Sequence, residues 1–162
     1  LWDVYDADRC PTGRLHRRAE PMGEGEFHLV VYAWIRGGDG RYLLTKRSPN
    51  KGYPNMWECT GGSALTGDDS LTAALREVRE ETGLRLDPMR GRRVASHKVT
   101  GRFEDVWLFE RDVALDELTL QEGETCGAML TRADEILELQ RGGRMAPTGS
   151  FELAELLRLM EG

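Results

Sequence analysis

Glu77, Glu80 and Glu81 stand at i, i+3 and i+4, so on a helix turning about 100° per residue their carboxylates share one narrow stripe. A solvated helix face places Lys or Arg four residues from a Glu. Arg76 does so for Glu80, whereas Glu77 has Ala73 on one side and Glu81 on the other. Glu77 and Glu81 therefore repel unless a cation lies between them or one of them holds a proton. An all-oxygen cluster of this kind suits a hard divalent ion, Mg²⁺ or Mn²⁺. The plain alternative is a charged surface helix; the spacing favours a metal platform.

Such a platform needs a helix of fixed length. Asp68, Asp69 or Ser70 can cap its N-terminus, and Gly83 can take the left-handed position that ends it. Leu71, Ala74, Leu75 and Val78 form the adjoining apolar stripe and are expected to be buried. Ahead of the helix, Gly61 and Gly62 let backbone approach closely, leaving main-chain groups free to face a metal or phosphate.

The stretch 61–84, GGSALTGDDSLTAALREVREETGL, resembles the signature of Nudix hydrolases. Gly62 opens the pattern, and Arg76, Glu77, Val78, Glu80, Glu81, Gly83 and Leu84 occupy its later positions in register. Asp68 stands where the first Glu of the pattern falls, a departure that bears only on the auxiliary role of that acid. The resemblance implies that Glu77, Glu80 and Glu81 hold Mg²⁺ (or Mn²⁺), that Arg76 orients a carboxylate, and that the carbonyl of Gly61 adds a ligand. It also implies the Nudix α/β/α sandwich with a central mixed sheet. In that family a glutamate from a loop before a short strand and a helix often completes the metal site or acts as general base. The acidic loop 116–126 corresponds, with Glu124 the first candidate and Glu122 the second, against the plain reading of a solvated loop.

With 162 residues and 40% hydrophobic composition, the chain can bury one sizeable core, and a single domain spanning 1–162 is expected. A formal charge of −6 disfavours nucleic acid and anionic membranes as partners, while a small anionic substrate can still arrive with a metal. Cys10, Cys59 and Cys126 are odd in number and widely spaced, which indicates neither a disulfide framework nor a zinc site and points to a reducing compartment. No apolar run reaches the ~18 residues of a membrane span and no signal-peptide pattern opens the chain; a soluble cytoplasmic protein is expected.

Along the chain, LWDVYD and RLHRRAE read as a hairpin whose Arg14, Arg17 and Arg18 form either a solvated edge or a rim contact to an anionic ligand. HLVVYAWI suits a buried strand, GGDG a turn, and RYLLTKR a return strand. His28 reads as a structural side chain. The following segment, SPNKGYPNMWECTGG, is expected to be a loop in which Trp57 is a packing anchor. Lys46, Arg47 and Lys51 beside it are the candidate substrate-phosphate contacts. VASHKV and FEDVWLFERDV read as a hairpin, AMLTR as a short strand, and 133–140 and 151–160 as helices.

Beyond the signature, WDVYD, GRLHRR, GEFHLVVYAWI, LLTKRSPNKGYPNMW and LQEGET resemble the Nudix branch that is similar to isopentenyl-diphosphate isomerase. The isomerases carry a catalytic Cys followed closely by His-Pro near 60–63 and a histidine-rich metal site. TGGSA replaces that context here, and His16, His28 and His97 are scattered. The expected activity is therefore metal-assisted substitution at phosphorus, with Glu77, Glu81, Glu124 and Arg76 as catalytic residues and an X-linked diphosphate as substrate. The alternatives are an isomerase-like enzyme using Cys59 and a non-catalytic nucleotide-binding sensor.

Overall fold

In a computed structural model, which describes residues 1–162, the strands are β1 (Trp2–Tyr5), β2 (Pro11–His16), β3 (His28–Arg36), β4 (Tyr42–Arg47), β5 (Trp57–Glu58) and β6 (Thr60–Ser63). Helix α1 (Ser70–Thr82) follows. The chain continues through β7 (Gly91–Val99), β8 (Arg102–Glu110) and β9 (Thr125–Thr131) to α2 (Ala133–Arg141) and α3 (Leu153–Glu161). No helix is long and apolar enough to cross a membrane.

Strand β3 is the axis. Its odd-numbered residues Leu29, Val31, Ala33 and Ile35 join Ala73, Ala74 and Val78 of α1 in one buried cluster. Trp34 joins the opposite cluster, with Tyr42, Leu44, Val106 and Leu108, Ile136 of α2, and Leu153, Leu156, Leu157 and Met160 of α3. Alternation of side chains across a strand places the two clusters on opposite sheet faces. The outcome is the expected α/β/α sandwich. Leu71 and Leu75, expected in the buried stripe, are partly buried against the first cluster.

The sheet is mixed: β3 pairs in parallel with β8 along its full length, from His28↔Arg102 to Arg36↔Glu110, while β7 and β8 form the expected antiparallel hairpin. The β3–β4 hairpin differs from expectation. The two strands pair only at Arg36↔Tyr42 and then splay, because β3 takes β6 as its antiparallel partner and β4 takes β5 and β9. The fork between them opens at the end of the sheet where Gly61 and Gly62 lie. The later part of segment 48–62, expected as loop, thus enters two short strands, β5 and β6. β1 and β2 form a separate two-stranded sheet, joined to the body by a bridge between Tyr5 and Phe27.

Candidate active site

Helix α1 has the ends its sequence calls for. The Asp69 side chain accepts from Thr72 N at 2.7 Å, and Gly83, at φ 78°, closes the helix by donating to Arg79 O. Of the three capping candidates Asp69 is therefore the cap. Asp68 has another partner: its Oδ2 accepts from Arg76 Nε and Nη2. From that anchor Arg76 Nη1 reaches Glu77 Oε1 at 3.1 Å and Glu80 Oε2 at 3.3 Å, and Nη2 reaches Ser63 O at 3.3 Å. One guanidinium thus ties the helix, its leading loop and strand β6 together.

Packing of α1 against β6 brings the glutamates to a cleft. A cavity of about 390 Å³ is lined by Trp2, Leu65, Arg76, Glu77, Glu80, Gln121 and Glu124 together with Arg18, Lys51, Gly61, Gly62, Ser63 and Glu81. The last six residues also line a second cavity of about 260 Å³, so the two are lobes of one cleft. The first lobe is acidic. The second adds Arg47 and Glu58 to a less polar wall of Val30, Tyr32, Tyr53, Cys59, Ala146 and Pro147. Glycine is required at the junction: a Cβ at Gly62 would lie 2.4 Å from the Glu77 carboxyl carbon, and one at Gly61 would lie 2.8 Å from the Tyr32 ring.

The electrostatics match a site that waits for positive charge. Burial, then the charges of Glu58 and Glu77, push the Glu81 carboxyl up to about 8, and its Oε2 is buried with no hydrogen-bond partner. Burial also raises Glu77, reinforced by Glu80, and raises Glu58. Glu58 is held by Arg47 Nη1 at 2.7 Å, and Glu124 pairs with Lys51. As they stand, no three acidic, histidine or cysteine side chains are gathered closely enough to hold a metal ion: Glu77 and Glu80 are paired with Arg76, and Glu81 Oε2 is buried. The donor set nevertheless fits a hard divalent cation. It is all carboxylate and main-chain oxygen, and it includes an orphaned buried oxygen, Glu81 Oε2, whose ionisation burial and acidic neighbours disfavour until a cation is supplied.

The structure brings Gly61, Arg76, Glu77, Glu80, Glu81, Arg47, Lys51 and Glu124 to the cleft. It does not bring Lys46, whose ammonium lies 5.8 Å over the Trp57 ring, nor Glu122, which is exposed and lines neither lobe. Trp57 packs against the α2–α3 side of the core, as a packing anchor would. Arg18, read in the first place as part of a solvated edge, lines both lobes. Sequence reasoning missed Glu58; the alternation of Trp57, Glu58, Cys59 and Thr60 was the available signal for a strand there. Cys59 is buried, and that burial pushes its thiol well above the ordinary range. His28 stacks on Trp2 at 4.0 Å, and His97 stacks on Phe151 and bonds Ser150. The histidines assemble no ligand set.

Residues 26–149 match the NUDIX domain family. An uncharacterized Nudix hydrolase of Listeria monocytogenes is 38% identical over 98% of this chain and 94% of its own length. Isopentenyl-diphosphate Delta-isomerase of Escherichia coli is more distant, 24% identical over 84% of this chain and 68% of its own. Among solved structures, DR0079 of Deinococcus radiodurans superposes with a TM-score of 0.75 at 24% identity, covering 97% of this chain and 96% of the other, a likeness of fold. With the family match running from Glu26 before β3 to Gly149 beside the cleft, and more than a third identity to a Nudix hydrolase over almost its whole length, the chain belongs to the Nudix family and is a Nudix-type hydrolase.

Proposed function

We propose that the protein hydrolyses the diphosphate linkage of a nucleotide-like or other X-linked diphosphate with Mg²⁺ or Mn²⁺, held chiefly by Glu77 and Glu81 with Glu80 and the Gly61 carbonyl. The observation that carries this reading is the unpaired Glu81 Oε2 at the junction of the two lobes, beside cations from two separate stretches of chain, Arg18 and Lys51. A buried carboxylate oxygen without a partner is costly unless a ligand completes it. When bound, the divalent ion neutralises the diphosphate and acidifies water for attack at phosphorus.

The side chains divide the remaining tasks. Arg18, Arg47 and Lys51 take the diphosphate oxygens. Lys51, paired with Glu124 in the free protein, turns to the substrate and releases Glu124 to accept a proton from the attacking water. Arg76, anchored on Asp68, keeps Glu77 and Glu80 at the first lobe. The second lobe receives the group attached to the diphosphate. Residues 1–162 act as one unit, a reading supported by Arg9 binding Asp105 and Arg36 binding Met160 O, which tie both ends of the chain to the sheet. The three free thiols fit a reducing cytoplasm.

Incubation with Mg²⁺ and a panel of nucleoside di- and triphosphates, dinucleotides, nucleotide sugars and prenyl diphosphates tests the reading. Release of phosphate, diphosphate or a monophosphate from at least one member is expected, unaffected by Cys59→Ala. No turnover across the panel would overturn it.

A further inference from the structure

Residues 142–152 contain no helix or strand, yet Ala146 and Pro147 from this segment form part of the second lobe's wall. Main-chain groups that lack a ladder must be fixed some other way. At one end Ala146 N donates to Trp57 O at 2.9 Å. At the other end the anchor is Glu104, a carboxylate on β8 with no solvent exposure. Its Oε1 accepts from both Ser150 N, at 3.1 Å, and Ser150 Oγ, while Oε2 accepts from Arg102 Nε at 2.9 Å. Burial alone would raise this carboxyl; the bonds from Ser150 and Arg102 outweigh it and hold the group below its usual range.

The fit around Glu104 leaves no slack. A Cβ at Gly149 would lie 2.2 Å from Glu104 Oε2 and 3.0 Å from the Tyr32 ring, and Gly149 takes φ +54°. Tyr32 is itself a lining residue of the second lobe. The carboxylate, the Gly149 turn and the Tyr32 ring are therefore packed as one block, and through Tyr32 that block reaches the lobe itself. A buried ionised group is a poor source of net stability but a strong source of fixed geometry, because a carboxylate shut off from water depends on the donors that reach it.

We propose that Glu104 is a positioning residue for specificity: by holding Ser150 it fixes the Ala146–Pro147 wall against which the group attached to the diphosphate is measured. This rests on the reading that the second lobe receives that group. Glu104 touches no reacting atom, so its removal changes which substrates fit and leaves the chemistry of the bound diphosphate intact.

Ser150→Ala and Glu104→Gln test it together, the former because it removes one hydroxyl and preserves the backbone donor. Hydrogen exchange followed by mass spectrometry is expected to speed up across 146–151 and to stay unchanged in α1. In steady-state assays, KM for the best panel substrate is expected to rise about tenfold with kcat within about twofold, and the spread of KM among substrates with different attached groups to narrow. Affinity for inorganic diphosphate with Mg²⁺, which needs only the first lobe and the cations, is expected to be unchanged. Unchanged exchange would overturn the anchoring role. Faster exchange with an unchanged substrate ranking would overturn the specificity role. An inactive parent would instead overturn the hydrolase reading, with the exchange measurement still deciding whether Glu104 holds the wall.

Discussion

Arg76 donates to a single oxygen of Asp68 from two nitrogens, Nε at 3.2 Å and Nη2 at 2.9 Å, and the same oxygen accepts Leu65 N at 2.9 Å. Three donors on one oxygen leave that atom no capacity for a metal. Asp68 works instead by aiming the guanidinium, whose other nitrogen contacts Glu77 and Glu80. The shorter acid is accommodated because Arg76 reaches back over the loop to meet it, and Ser63 O takes part of the same fork.

Asp68→Asn keeps an acceptor for Arg76 and removes the charge. The turnover rate is expected to fall about tenfold, as for a residue that orients a ligand, against about 10³-fold for loss of a principal ligand. Equal losses in Asp68→Asn and Glu77→Gln would place Asp68 in contact with the metal.

What could be read in the chain and what could not divides along sequence distance. Helix α1, its cap and its closing Gly83 are set by residues within a few positions of one another, and they fall where periodicity puts them. The β7–β8 hairpin is equally local, although β7 starts at Gly91, before the expected Val94, since its pairing with Phe109 is decided by β8. Glu58 was invisible as a site residue because its neighbours are supplied by distant chain: β5 lies on β4, β6 on β3, and only those pairings set Glu58 beside Glu81. The Ala146–Pro147 wall was hidden for the same reason, being held by Glu104 and Trp57. Among the three candidate cations, spacing could not show that Lys46 rests over the Trp57 ring while Arg47, at the end of β4, and Lys51, in the loop beyond it, line the cleft.

That separation of cations is measurable. Lys51 lines both lobes, so Lys51→Ala is expected to raise KM about tenfold or more, an effect that shrinks at high salt, since a charge-assisted contact is worth roughly 1.5–3 kcal/mol. Lys46→Ala is expected to leave kcat/KM within about twofold, its charge resting over an indole outside the cleft. Equal effects from the two alanines would contradict the assignment of the phosphate-binding groups.

Gly62→Ala separates the site from the fold. The added Cβ would sit 2.4 Å from the Glu77 carboxyl carbon, and what must give is the far end of a flexible side chain, with no backbone in the way. The variant is expected to melt within a few degrees of the parent. Its Mg²⁺-dependent rate is expected to drop by about 10² or more, because Glu77 is pushed off its position. A large fall in melting temperature with activity retained would show that the glycine serves the strand rather than the carboxylate.

Glu81→Gln carries the sharpest expectation. In the metal-free protein burial, then Glu58 and Glu77, raise the Glu81 carboxyl from 4.5 to about 8. The folded state therefore holds this proton more tightly than the unfolded chain does. Stability from Glu81 is fully present below about pH 4.5 and is lost as pH rises through about 8. Glutamine keeps the shape without the ionisation, so in EDTA the variant is expected to melt at the same or a higher temperature than the parent, with the gap widening from about pH 5 toward pH 8. Added Mg²⁺ is expected to reverse the order. It competes with the proton for Glu81, so it stabilises the parent, more strongly as pH rises, and leaves the variant unmoved and without Mg²⁺-dependent turnover. Melting curves across pH, with EDTA and with Mg²⁺, check each part. If Glu81→Gln melts several degrees lower than the parent in EDTA at every pH, Glu81 is holding the fold through a partner, and its place as the principal metal ligand falls.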